Sequence, residues 1–230
     1  MHVLALDTCL GACSVAILNG DVVVARRFEV LGRGHAERLV PMVQDVMADA
    51  RTEFSGLDRI GVTVGPGTFT GVRIGLAAAR GFALAAAVPL IGVTSTEAVA
   101  EAVFRDPSSG SLPDTLAVVH DARRGEAYVQ IFRRTGNAAR PAEAITEPVV
   151  VGLDGVPAAL PAAPLAIAGT GAELVKAGVK RQRADVIFVE GHDYPDAAEV
   201  GLIAMRRQAN RGRVHPLYLR APDAKLPTAS

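Results

Sequence analysis

The chain has no tryptophan, and three tyrosines and seven phenylalanines make only 4% aromatics in 230 residues. A surface that stacks nucleic-acid bases is therefore poorly supplied. Lysine is almost missing: Lys176, Lys180 and Lys225 stand against 21 arginines. The 24 basic residues meet 24 acidic ones, so formal net charge is zero. That excludes a nucleic-acid binder that depends on bulk charge. The two cysteines, Cys9 and Cys13, cannot build a disulfide framework, and no histidine pair joins them in a zinc site. They read as small buried hydrophobes in a reducing compartment. Gly-Lys occurs nowhere, so there is no Walker loop. Gly-x-Ser-x-Gly and His-Glu-x-x-His are also missing, which removes the usual nucleophile and metallopeptidase signatures. The five histidines (His2, His35, His120, His192, His215) are scattered, and His35 reads as a cap or surface residue.

No leader is expected, because the N-terminus lacks a basic region and Asp7 interrupts its apolar run. Residues 74–93 come nearest to a membrane span. They hold Arg80 and Pro89 and are mostly Ala and Gly, so they read as a buried helix followed by a strand. A soluble, cytoplasmic protein with no membrane partner is the expectation.

Apolar residues make up 50% of the chain and charged residues 21%, with alanine occurring 40 times. Disorder is excluded, and the length suits one large domain or two small ones. The sequence also repeats itself. Leu4–Gly11 can be laid on Val118–Gly125, which puts Asp7 on Asp121 and Gly11 on Gly125. Further on, Val64-Gly65-Pro66-Gly67 matches Ala168-Gly169-Thr170-Gly171. Two matches in the same order argue for a duplicated domain, with Pro107–Gly110 as the joint.

Each copy reads β-β-β-α-β-α-β-α. The first gives strands over 2–7, 12–18 and 21–29, a helix over 35–50 and a strand over 60–64. A helix capped by Thr70 runs to Ala87, a strand follows at 90–93, and a helix at 95–104 closes the half. The second gives strands at 115–121, 126–133 and 142–151, a short helix near 152–160 and a strand at 165–168. A helix from Gly171, a strand at 186–189 and a helix at 196–209 complete it. The tract 156–164 reads as a loose Ala/Pro loop. The pattern predicts mixed sheets with helices packed on them.

Both Gly-x-Gly loops join a strand to a helix, where backbone N–H groups can meet phosphate. Pro66 removes one donor and Phe69 adds bulk, so weak or no nucleotide binding is expected. Asp7, Thr8, Asp121, Gly169 and Gly171 are the candidates if a nucleotide binds. Asp7 and Asp121 end equivalent strands and could share Mg²⁺ across a cleft, or each could cap its own turn. The helix 71–87 is apolar nearly all round. Gly71, Gly75 and Ala79 lie four apart, with Ala78 and Phe82 beside them. Leu39, Val43 and Met47 form an apolar stripe on the preceding helix. A partner helix is expected to close on both.

Several stretches resemble the bacterial TsaB (YeaZ) family: Val3–Ala16, His35–Val43, Gly65-Pro66-Gly67-Thr68-Phe69-Thr70-Gly71-Val72-Arg73-Ile74-Gly75, Asp121–Tyr128 and Pro216-Leu217-Tyr218-Leu219-Arg220. The resemblance spans nearly the whole chain. It implies an actin-like (ASKHA) fold of two RNase H-like halves, here residues 1–106 and 107–230. It also implies a non-catalytic subunit for threonylcarbamoyl transfer to N6 of adenosine 37, in tRNAs reading codons that begin with A. Its implied partners are a TsaD-like catalytic paralogue and a TsaE-like ATPase, with TsaC supplying the threonylcarbamoyl-adenylate. ATP and metal then belong to partner subunits, the chain has no cofactor of its own, and it forms a homodimer when alone.

The paralogue's His-x-x-x-His metal pair falls here on Ser95 and Val99, so neither that metal site nor a metallopeptidase centre is expected. A small actin-like ATPase or kinase, using Asp7, Asp121 and Gly169-Thr170-Gly171, is the alternative. A basic stretch (Arg206, Arg207, Arg211, Arg213, Arg220, Lys225) facing only Asp223 is the candidate contact for tRNA, or else a solvated surface.

Overall fold

Period-two alternation draws residues 2–30 into a three-stranded meander: β1 (His2–Asp7), β2 (Ala12–Asn19) and β3 (Val22–Val30). This is seen in a computed structural model that describes residues 1–209 and 213–220. The first copy continues with α1 (His35–Asp49), β4 (Arg59–Thr63), α2 (Phe69–Ala86), β5 (Leu90–Val93) and α3 (Ser95–Arg105). The second copy runs β6 (Thr115–Arg123), β7 (Glu126–Arg134), β8 (Ala142–Ala144), β9 (Val149–Gly152), α4 (Val156–Ala159), β10 (Leu165–Ala168), α5 (Ala172–Gln182), β11 (Ile187–Phe188) and α6 (Ala197–Arg206).

The sheet orders are β3-β2-β1-β4-β5 and β11-β10-β6-β7-β8, with β9 also pairing β7. In each sheet the second strand of the copy (β2, β7) is antiparallel to its neighbours, while the first (β1, β6) leads into parallel strands on its other side, the duplicated mixed-sheet pattern. This is the actin-like fold.

Several boundaries differ from the sequence reading. The strand expected over 142–151 is two short strands on β7. Pro148, which has no N–H for a ladder, lies in the break between them. α2 begins at Phe69, because Thr68 caps it by accepting from Gly71 N at 3.1 Å; Thr70 already lies in the first turn. The tract 156–164 is helical only over its first four residues, and α6 ends at Arg206, short of 209.

The helices that end each copy pack across the repeat. Val99, Ala100, Val103 and Phe104 of α3 lie in a core with Leu116, Val118 and Phe132 of the second sheet. Ala197, Val200, Ile203 and Ala204 of α6 lie on Val3, Ala5, Ala16 and Leu18 of the first. The fit of α6 is close: a Cβ on Gly61 would sit 2.8 Å from Ala204 Cβ. Arg59 closes its C-terminus, donating to the carbonyls of Ala204, Met205 and Arg207 at 2.8, 3.0 and 2.9 Å. Where α3 and α6 meet, the buried carboxylate of Glu101 pairs with Arg206 and Arg105. The opposite face of the first sheet is covered by α1 and α2. By length and composition α2 alone among the described residues could cross a membrane; here its Gly71, Leu76, Ala79 and Ala83 are buried in this chain.

Candidate functional site at the strand ends and the α1–α2 layer

β1 delivers Asp7 to the first strand end, where it is fully buried. Its Oδ1 accepts from the Cys9 N–H at 3.1 Å and the Thr63 hydroxyl at 2.5 Å, while Oδ2 has no partner among the described residues. Burial pushes Asp7 up to about 7, the hydrogen bonds from Thr63 and Cys9 opposing. Thr8 Oγ1 donates to Gly71 O at 2.7 Å, and Thr68 N donates to Cys9 O at 2.7 Å. A Cβ on Gly67 would lie 2.3 Å from Cys9 O, so the Gly65–Gly67 loop rests directly on the Thr8–Cys9 backbone. Cys9 and Cys13 are both buried, and burial raises both thiols, Cys13 to about 12. Burial and the raised thiols disfavour the thiolate at both positions.

The second strand end is arranged differently. Gly171 N donates to Val119 O at 2.9 Å, and Thr170 Oγ1 accepts from Asp121 N at 3.0 Å. Asp121 accepts from the Arg123 N–H at 2.7 Å and pairs with the Arg123 guanidinium at 3.0 Å. Each aspartate therefore caps its own turn. No group of three His, Cys, Asp or Glu among the described residues could hold a metal. His120, next to Asp121, is fully buried, and neither ring nitrogen has a hydrogen-bond partner among the described residues. Burial lowers it to about 4, the neighbouring Ser95 backbone offsetting only part. Ser95 joins the strand ends: its N–H donates to Gly65 O at 2.9 Å and its hydroxyl to Pro66 O at 2.5 Å. Val99, one turn on, is wholly within the core.

The expected partner seam is corrected by the α1–α2 layer. Leu39, Val43, Met47, Gly71, Gly75 and Ala79 are buried in this chain's own core, and Ala78 and Phe82 are half-buried against it. The small residues let α2 cross Thr8. A Cβ on Gly71 would lie 2.1 Å from Thr8 O, and one on Gly75 2.5 Å from Thr8 Oγ1. The outward side of the layer is instead Val40, Pro41, Gln44 and Ala48 on α1, with Ala77, Gly81, Leu84 and Ala85 on α2. Leu84 is 84% exposed, and a Cβ on Gly81 would meet nothing within 4 Å. Arg73 and Arg80, which no core would accept unpaired, were the sequence signal for this outward side.

Sequence reasoning also missed a cleft of about 540 Å³ between the halves, lined by Gly11, Arg33, His35, Thr68, Arg123 and Tyr194 among others. His35 is buried there with Nε2 unpartnered among the described residues, not a surface residue or a side-chain cap; Gly34 caps α1. The basic C-terminal stretch is mostly paired: Arg206 with Glu101, Arg207 with Glu97 at 2.6 Å, and Arg220 with Glu126. Arg213 is exposed. Arg211, Asp223 and Lys225 lie outside the described residues.

The family model described as "TsaD: tRNA N6-adenosine threonylcarbamoyltransferase" matches residues 29–209. The tRNA threonylcarbamoyladenosine biosynthesis protein TsaB of Escherichia coli (strain K12) is 38% identical over 154 residues, 66% of this chain. That match spans 64% of the E. coli protein, just under two thirds of its length. YeaZ from Pseudomonas aeruginosa superposes with a TM-score of 0.78 at 30% identity, covering 95% of this chain and 99% of that one. An inorganic polyphosphate/ATP-glucomannokinase from Arthrobacter sp. strain KM shares the fold, with a TM-score of 0.50 at 10% identity over 89% of this chain and 97% of that one.

Proposed function

Because the chain belongs to the TsaB (YeaZ) family, we propose that it is a non-catalytic subunit required for threonylcarbamoyl transfer to N6 of adenosine 37, in tRNAs reading codons that begin with A. The observation that carries this reading is the fate of Ser95 and Val99. The resemblance places the catalytic paralogue's metal-binding histidines at these two positions. Here the Ser95 hydroxyl is engaged by Pro66 O and Val99 is core. A hydroxyl tied to a carbonyl and an aliphatic side chain offer no imidazole to a metal.

The chain then contributes by association in the cytoplasm. Its partner is a TsaD-like catalytic paralogue, joined by a TsaE-like ATPase, with ATP and metal held by those subunits. The outward side of the α1–α2 layer suits that partner, since Ala48, Ala77, Gly81 and Ala85 are exposed and small enough to let a helix approach, with the exposed Val40 and Leu84 beside them. The same side would pair two copies of this chain when the paralogue is missing.

The alternative, an actin-like ATPase or kinase, is disfavoured by the two Gly-x-Gly loops. Both are closed on the chain's own backbone, at Cys9 O and Val119 O. Reconstitution tests the reading. The paralogue and ATPase supplied with threonylcarbamoyl-adenylate should modify tRNA only when this chain is added. Transfer by this chain alone, or full transfer without it, overturns the proposal.

A further inference from the structure

α2 carries Arg73 and Arg80 and no acidic residue; the strap of residues 213–220 carries Arg213, His215 and Arg220 and no acidic residue. The strap is fastened along α2. Arg80 Nη2 donates to Val214 O at 2.7 Å, Arg73 Nε to the Tyr218 hydroxyl at 2.9 Å, and Leu217 N to Val64 O at 2.7 Å. Among the described residues only Arg220 of these cations has a carboxylate partner, Glu126. In a chain of zero formal net charge this is a surface of one sign.

Aromatic surface gathers at the same place. Phe69 and Tyr218 are 48% and 41% exposed, with ring centroids 5.3 Å apart. The Arg73 guanidinium sits 3.6 Å from the Phe69 centroid. The chain is poor in aromatics, yet two of its rings are partly exposed beside Arg73, which has no carboxylate partner among the described residues. Core packing does not account for that placement.

We propose that this edge of α2 and the strap form an RNA-contacting surface. Arg80 and Arg213 meet backbone phosphates, and the Phe69–Arg73–Tyr218 cluster takes the face of an unpaired base. The proposal rests on the reading of the chain as a subunit for tRNA modification. RNA fits better than an acidic peptide, which would satisfy the guanidinium groups and leave the ring faces wet. It also leaves room for the protein partner. At 3.6 residues per turn, Ala77, Gly81 and Ala85 lie about 100° round the helix from Phe69, Arg73 and Arg80.

The test is binding of an unmodified tRNA, across a salt series, to the chain assembled with its paralogue and ATPase. Arg80→Gln with Arg213→Gln should weaken binding about tenfold and lower the log–log salt slope by nearly two, since each lost phosphate contact removes about 0.9. Tyr218→Leu keeps an apolar side chain on the strap; it should weaken binding roughly fivefold and leave the salt slope unchanged. Arg213→Gln alone changes an exposed side chain with no partner among the described residues, so about half the slope change should survive in a variant whose fold is undisturbed. Thermal unfolding and co-sedimentation with the paralogue are read in parallel.

Unchanged affinity and slope in folded, tRNA-modifying complexes overturn the surface and leave the functional reading standing. Loss of paralogue association with tRNA affinity intact assigns the edge to protein and overturns it too. If tRNA modification proceeds fully without the wild-type chain, the functional reading fails, and this surface loses its ligand with it.

Discussion

β1 and β6 hold the same place in their two sheets, yet each buries a different titratable group at its end. β1 buries Asp7. β6 turns Asp121 outward to pair with Arg123 and buries His120 one residue earlier. Both seams favour the neutral form, with Asp7 raised to about 7 and His120 lowered to about 4. The repeat aligns Asp7 with Asp121 by spacing, but the buried environment passes to His120. Duplication has kept the strand geometry and not the side chain that meets the seam.

The difference gives the two strand ends opposite pH signatures, and this is the largest expected effect. Asp7 binds its proton more tightly in the folded chain, from an ordinary 3.8 to about 7. Its ionisation costs the native state roughly 4 kcal/mol above about pH 7, a cost lost as pH falls towards 3.8. His120 binds its proton less tightly, from 6.5 to about 4, so acidification over that range costs the native state roughly 3 kcal/mol. The two slopes oppose each other, and the wild-type chain should vary little over this range. Asp7→Asn should leave a stability that falls on acidification, and His120→Gln one that rises. Urea unfolding at about pH 4.5 and about pH 7.5 reads both. Two variants with parallel profiles would break the comparison.

The starts of the helices above these strand ends should differ next. A Cβ on Gly71 would lie 2.1 Å from the Thr8 carbonyl oxygen, whereas one on Gly171 would come within 3.0 Å of Asp121 N. Both neighbours are backbone and cannot swing away. Gly71→Ala should therefore cost about 3 kcal/mol and Gly171→Ala about 1 kcal/mol, seen as a larger fall in Tm for the first. Equal losses would mean that the two helix starts are held equally tightly. Gly75→Leu belongs with Gly71→Ala, because its side chain would press on Thr8.

The element order was legible because strand and helix periods are local; the duplicated pattern pointed to mixed sheets with helices packed on them, and the actin-like architecture came with the family resemblance. Which sheet α3 and α6 cover was not legible. Each is apolar on one face, and nothing in Val99–Phe104 or Val200–Ala204 says which sheet that face meets. The cap of α2 was misplaced by two residues because Thr68 and Thr70 are the same residue type; only the bond to Gly71 N separates them. His120 gave no warning of its burial beyond its place at the end of the apolar strand Leu116–Val119. In the C-terminal stretch, the acids that pair with Arg206, Arg207 and Arg220 lie 94 to 110 residues away in the chain, so a local charge count saw an open basic patch.

The smallest expected effect on the chain itself separates the two rows of small residues on α2. Gly71, Gly75, Ala79 and Ala83 face Thr8 and the core, while Ala77, Gly81 and Ala85 face out. Both rows repeat every four residues, so spacing alone could not tell them apart. Around Gly81 there is open space, and its backbone is ordinary helix. Gly81→Leu should leave the isolated chain folded and raise its stability by up to about 1 kcal/mol, because glycine is a poor helix former. If the outward row is where a partner helix approaches, the same leucine fills the space that helix needs and weakens association by about 1–3 kcal/mol. Denaturant unfolding of the variant, with sedimentation alone and mixed with the catalytic paralogue, reads both quantities. Unaltered association would place the partner away from this row; a destabilised monomer would mean that Gly81 faces inward like Gly75.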